Sequence, residues 1–148
     1  AIPVLFPEIK IDNIPYYDGG LSDSIPVKRA IEKGYSKHLL VLTREPGYIK
    51  QPSKTNKWAT KLFQKRYPRQ AAAMNQRASM YNATMQYIGE LEQNNEAFIF
   101  KPDRAIKSFE SKVDQMKANY EVGYEQALKQ MPELKEFLGI QKGAPLPL

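Results

Sequence analysis

Two short uninterrupted apolar runs, "HLLVLT" at residues 38–43 and "AFIFK" at residues 97–101, constrain the fold more than any other feature of this chain. Continuous apolar runs of strand length mark strands covered on both faces, as in parallel sheets. Ahead of the first run, "PVKRAIEKG" reads as a short helix. Pro26 stands at its opening position, where a missing N–H costs nothing, and Gly34 is placed to cap its end. Helix, tight turn and buried strand in succession predict a βα(β) crossover and an α/β fold.

The remaining elements follow from periodicity. Residues 1–17 read as extended, with "EIKI" and "IPYY" as two short strands turned at Asp12-Asn13, a hairpin that would deliver Asp18 at its end. Residues 45–56 are loop-like, and a short helix at 57–66 follows. From about Pro68 to Gln93, Met74, Ala78, Tyr81, Met85 and Ile88 recur at spacings of four and three. Phe109, Val113, Met116, Tyr120, Gly123 and Ala127 repeat that spacing in a further helix. Pro132 is expected to restart a short helix that stops at Gly139, and residues 141–148 form a flexible tail. Residues 1–140 are read as one domain.

Only two strong central strands stand against three or four helices, few for a sheet that normally has about five or six. The opening "AIPVLFPEI" also reads as the middle of a longer chain. The expectation is therefore a part of a larger sheet, with an apolar edge available to the rest of the protein or to a second copy.

Chemistry is bounded by composition. The 148 residues contain no cysteine and one histidine, His38, so thiolate chemistry is excluded and metal ligation is poorly supplied. No metal and no cofactor is expected. Asp12, Asp18 and Asp23 lack the spacing of a calcium loop and read as turn residues. No run reaches the roughly 20 apolar residues of a membrane span, and the chain is expected to be cytoplasmic or peripheral to a membrane.

The formal charge of +6 is concentrated. Between Arg44 and Arg77, nine basic residues face Glu45 alone. Within this segment Trp58, Leu62 and Phe63 fall on one helical face flanked by Lys57, Lys61 and Lys65, a pattern suited to an anionic membrane surface. A solvated basic face is the plainer reading. Nucleic acid is a weaker rival, since no nucleic-acid-binding module is recognisable.

The stretch "YYDGGLSDSIP" places Asp18 before Gly19 and Gly20. Asp-Gly is a common turn, yet strand ends in α/β proteins also carry functional side chains. Paired glycines allow positive φ or the close approach of another group.

The ordered segments "AIPVLFPEIKIDNIPYYDGG", "VLTREPGYIK", "RASMYNATMQYIGELE", "FIFKPDR" and "YEVGYEQAL" resemble the patatin-like phospholipase family over nearly the whole chain. The resemblance implies part of a three-layer α/β/α fold whose N-terminal half, with the nucleophile elbow, is absent. It implies a serine-dependent lipid acyl hydrolase using a Ser–Asp dyad, with Asp18 as the carboxylate, Gly19 and Gly20 making room for the serine, and a lipid or acyl ester as substrate. No Gly-x-Ser-x-Gly occurs here. "GYSKH" at residues 34–38 lacks the final glycine and runs helix-to-strand, so Ser36 is a poor nucleophile, as is Ser24 in a triad with His38 and Asp18. The chain by itself is expected to be inactive and to work with the missing N-terminal half. The competing expectation is a basic helical binding module for anionic membrane or nucleic acid, without catalysis.

Overall fold

The computed structural model describes residues 8–52, 60–61, 64–65, 67–107 and 110–140. The fold is mixed α/β, with two small sheets and, among the described residues, three α-helices. The chain divides into two compact units, one from Ala1–Tyr35 and Ile49–Gly89, the other from Ser36–Tyr48 and Glu90–Leu148.

In the first unit, strands β1 (Ile9–Ile11) and β2 (Ile14–Tyr16) form an antiparallel hairpin in which Ile9 faces Tyr16 and Ile11 faces Ile14. Asp12 and Asn13 have φ of 51° and 61°. Two left-handed residues make the tight turn whose twist matches that of the strands, and Asp and Asn tolerate it best after glycine. The hairpin is followed by a single 3₁₀ turn, Gly19–Leu21, and by helix α1 (Val27–Glu32). Helix α2 (Pro68–Gln93) has the bounds its periodicity predicts; it buries Ala71, Met74 and Ile88 in this unit, and its last turn, with buried Leu91, belongs to the second.

In the second unit, β3 (His38–Val41) and β4 (Ala97–Phe100) pair in parallel, His38 opposite Ala97 and Val41 opposite Phe100. The crossover lies between these two strands and runs through α2. The expected unit around α1 does not form, because β2, the strand before α1, pairs with β1. Helix α3 (Val113–Phe137) closes the order of elements.

The expectation of a strand covered on both faces holds for only one face of β3. His38, Ala97 and Ile99 are buried, whereas Leu39 and Val41 are 50% and 73% exposed. On that second face the Phe98 ring lies 5.9 Å from Phe137 of α3. The helix thus reaches the β4 side of the face and leaves the β3 side open among the described residues.

Pro132 does not end α3 or start another helix; it sits inside Val113–Phe137. Proline removes the N–H that would bond back one turn. Leu134 and Phe137, both buried beyond it, anchor the last turn of the helix through packing.

The helices α1, α2 and α3 stop in the same way. At Gly34, Asn95 and Gly139 the chain turns left-handed, with φ of 88°, 58° and 70°. The residue so placed and the one after it donate back to the last turn: Gly34 to Ile31 and Tyr35 to Ala30, Asn95 to Glu92 and Glu96 to Leu91, Gly139 to Glu136 and Ile140 to Lys135. These paired bonds satisfy carbonyls that a helix end leaves open.

Candidate functional site around Asp18

The loop carrying Asp18 is positioned from both sides by α2. Leu21 is buried against Met74, and Tyr17 packs on the same pair. One turn along α2 from Met74, the Arg77 Nε donates to the Gly20 carbonyl at 3.0 Å. Residues three apart on a helix share a face, so Met74 and Arg77 supply the apolar and the polar hold on one short loop. Glu8 ties the hairpin down as well, its Oε2 accepting from the Tyr67 hydroxyl at 3.0 Å and the Tyr17 hydroxyl at 3.4 Å.

Asp18 is exposed and caps the 3₁₀ turn: its Oδ1 accepts the Gly20 N–H at 2.7 Å while its carbonyl accepts from Leu21 at 3.1 Å. The Gly19 carbonyl accepts from the backbone N–H groups of Ser22 and Asp23, and Ser24 Oγ donates to the Gly20 carbonyl at 3.0 Å. A turn this dense in local bonds has little freedom to swing the carboxylate.

The two glycines serve different ends. Neither takes a left-handed φ. A Cβ at residue 20 would lie 2.9 Å from Asp18 Oδ1, closer than carbon and oxygen tolerate, whereas a Cβ at residue 19 would meet nothing within 4 Å. The group pressed against Gly20 is thus Asp18's own carboxylate, and the open side is at Gly19.

The electrostatics follow from these contacts. The Gly20 N–H is the largest influence holding the Asp18 carboxyl below the ordinary aspartate range, and the positive charge of Arg77 is the smallest. Burial opposes them only slightly, since the group faces water. In this setting Asp18 is a well-oriented anion and a weak base.

Arg77 and Asn82 have no mechanism assignable from sequence, and the structure gives each a role. Arg77 clamps the Asp18 loop. Asn82 brackets Lys50, its Oδ1 accepting the Lys50 N–H at 2.9 Å and its Nδ2 donating to the Lys50 carbonyl at 3.1 Å, in the manner of a neighbouring strand. Lys50 Nζ lies 4.7 Å over the Tyr81 ring. A lone Arg and Asn on an amphipathic helix carry no sequence signal for such partners, because both are long-range.

Of the predicted membrane face, Lys61 and Lys65 are exposed. Lys57, Trp58, Leu62 and Phe63 lie outside the described residues. His38 is buried at the head of β3, and its backbone N–H donates to the Glu96 carbonyl at 2.9 Å. Among the described residues no three His, Cys, Asp or Glu side chains gather as a metal site, and no helix is long and apolar enough to cross a membrane.

Residues 67–139 match the model of a domain of unknown function, DUF6363. The match covers α2, β4 and α3 and leaves the Asp18 loop outside it. No curated protein and no solved structure matches the chain.

Proposed function

We propose that this chain is the carboxyl-terminal part of a serine-dependent lipid acyl hydrolase of the patatin-like type, with Asp18 as the carboxylate of a Ser–Asp dyad. The observation that carries the reading is the presentation of Asp18: at the end of a hairpin, exposed, with one oxygen fixed by the Gly20 N–H and open space beside Gly19. The ordered resemblance of the surrounding segments supports it independently.

In this reading the serine comes from sequence upstream of the hairpin and approaches over Gly19. Asp18 takes the Oγ proton as Oγ bonds to the ester carbonyl carbon, and returns it to the departing alcohol when the C–O bond breaks. Water then repeats the sequence on the acyl-enzyme. A weakly basic carboxylate suits this role only once water is excluded, so the serine segment has a second task, to cover Asp18 and raise its basicity. The upstream half also adds strands at the edge of the β3/β4 pair, completing a three-layer α/β/α sheet. Exposed Lys61 and Lys65, with the apolar residues between them in sequence, bring the enzyme to an anionic lipid surface.

The test is ester hydrolysis by the protein that joins this chain to its upstream sequence. The Asp18→Asn variant should lose activity by roughly 10³-fold or more, as removal of a dyad or triad member does, with unchanged thermal unfolding. Full activity in a folded Asp18→Asn protein overturns the dyad. Salt-dependent vesicle binding without hydrolysis by the wild type favours the binding module instead.

A further inference from the structure

We infer that the groove between the carboxyl ends of β3 and β4 and the middle of α3 binds a single aliphatic chain bearing a monoanionic carboxylate head. This site lies wholly within the second unit, and it does not depend on the dyad reading.

The cavity measures about 600 Å³, and Val41, Phe100, Ile106, Tyr120, Gly123 and Ala127 supply apolar wall. Ligand sites commonly span about 300–1,000 Å³ of mostly apolar space with a few polar groups. Their usual place in open parallel sheets is beyond the carboxyl ends of the strands, where Val41 and Phe100 end β3 and β4.

Gly123 is the second, independent observation. It stands in the interior of α3, where glycine costs about 1 kcal/mol against alanine. Its φ is not left-handed, and an added Cβ would meet nothing within 4 Å. Among the described residues, neither backbone strain nor packing accounts for this glycine. A side chain there would enter the groove, so the glycine keeps room for an occupant.

The polar groups select the head. Lys101 Nζ is 3.7 Å from Glu92, and its carbonyl accepts from Gln126 Nε2 at 2.6 Å, so both of its ends are engaged. Arg104 is exposed and has no ion pair among the described residues. Asn119 Oδ1 already accepts from Gln115, which leaves its amide hydrogens as donors. A guanidinium and an amide donor suit a carboxylate, and Asp103 on the same loop opposes a more highly charged anion. The cavity volume suits one chain rather than the pair of a diacyl lipid.

The experiment uses the full chain and monomeric hexadecanoate, read by displacement of a fluorescent fatty acid. Saturable one-to-one binding is expected. Gly123→Leu should abolish it while leaving the circular dichroism spectrum helical and thermal unfolding unchanged or raised. Arg104→Gln should weaken hexadecanoate by about tenfold, the scale of one charge-assisted hydrogen bond, and leave hexadecanol unaffected. No saturable binding by the wild type overturns the site, as does equal binding by folded Gly123→Leu. Binding confined to anionic vesicles and kept by Gly123→Leu also overturns it, in favour of a membrane surface.

Discussion

The Asp18 carboxylate fills the space that a side chain on Gly20 would need: Oδ1 accepts the Gly20 N–H at 2.7 Å and would lie 2.9 Å from a Cβ there. This contact couples the conformation of the aspartate to the identity of the residue two places on. It explains one glycine of the pair through the chain's own geometry and leaves Gly19 facing open space.

Gly20→Ala therefore expels the carboxylate from its cap, while Gly19→Ala is accommodated. In a ¹³C-NMR titration the Asp18 carboxyl of Gly20→Ala should move up toward the ordinary value near 4. Gly19→Ala should leave it depressed, and equal titration of the two variants would contradict the contact.

Asp18→Asn keeps the cap, because asparagine is as good an N-cap as aspartate, whereas Asp18→Ala loses it at a cost of about 1 kcal/mol. Urea denaturation should place Asp18→Asn close to wild type and Asp18→Ala below it. The pair of variants separates a chemical role of the carboxylate from its structural one.

The pH dependence has a definite sign. The folded carboxyl is depressed relative to the unfolded chain, so its contribution to stability is complete above the ordinary aspartate value and disappears as pH falls through the folded one. Wild type should lose more stability than Asp18→Asn on acidification from pH 5 to pH 2. The difference should be small, because the group faces water. Parallel acid-unfolding curves would remove the linkage.

Arg77→Met retains the stem of the side chain and deletes the bond to the Gly20 carbonyl, a hydrogen bond from a charged donor worth roughly 1.5–3 kcal/mol when well sheltered. Arg77 is half-buried, so a loss nearer 1 kcal/mol is expected in urea unfolding. Unchanged urea stability would show that Arg77 does not hold that loop.

At the helix ends, Gly139→Ala forces a Cβ into a left-handed position and should destabilise by about 1–2 kcal/mol. Asn95→Gly relieves the same constraint at the end of α2 and should be neutral or slightly stabilising. Thermal melts of the two variants should shift in different directions or by clearly different amounts.

Much of this architecture was legible in the residue order. The turn at Asp12-Asn13, the bounds of α2, the cap at Gly34 and the position of Asp18 at the end of a hairpin all follow from short-range rules. Turn chemistry and the period of an apolar stripe act within a few residues. Strand type was legible too, since "HLLVLT" and "AFIFK" did become a parallel pair.

Tertiary structure alone decided the rest. Periodicity cannot tell a strand covered on both faces from one covered on a single face, and only the position of α3 against Phe98 leaves Leu39 and Val41 exposed. Pro132 reads as a stop from its missing N–H, yet the buried Leu134 and Phe137 carry α3 past it. Arg77 and Gly20 are 57 residues apart, and nothing local announces that one donates to the other. Local rules determine which elements form and where they end; burial and long-range hydrogen bonds, which exist only once the chain has closed, determine what each element faces.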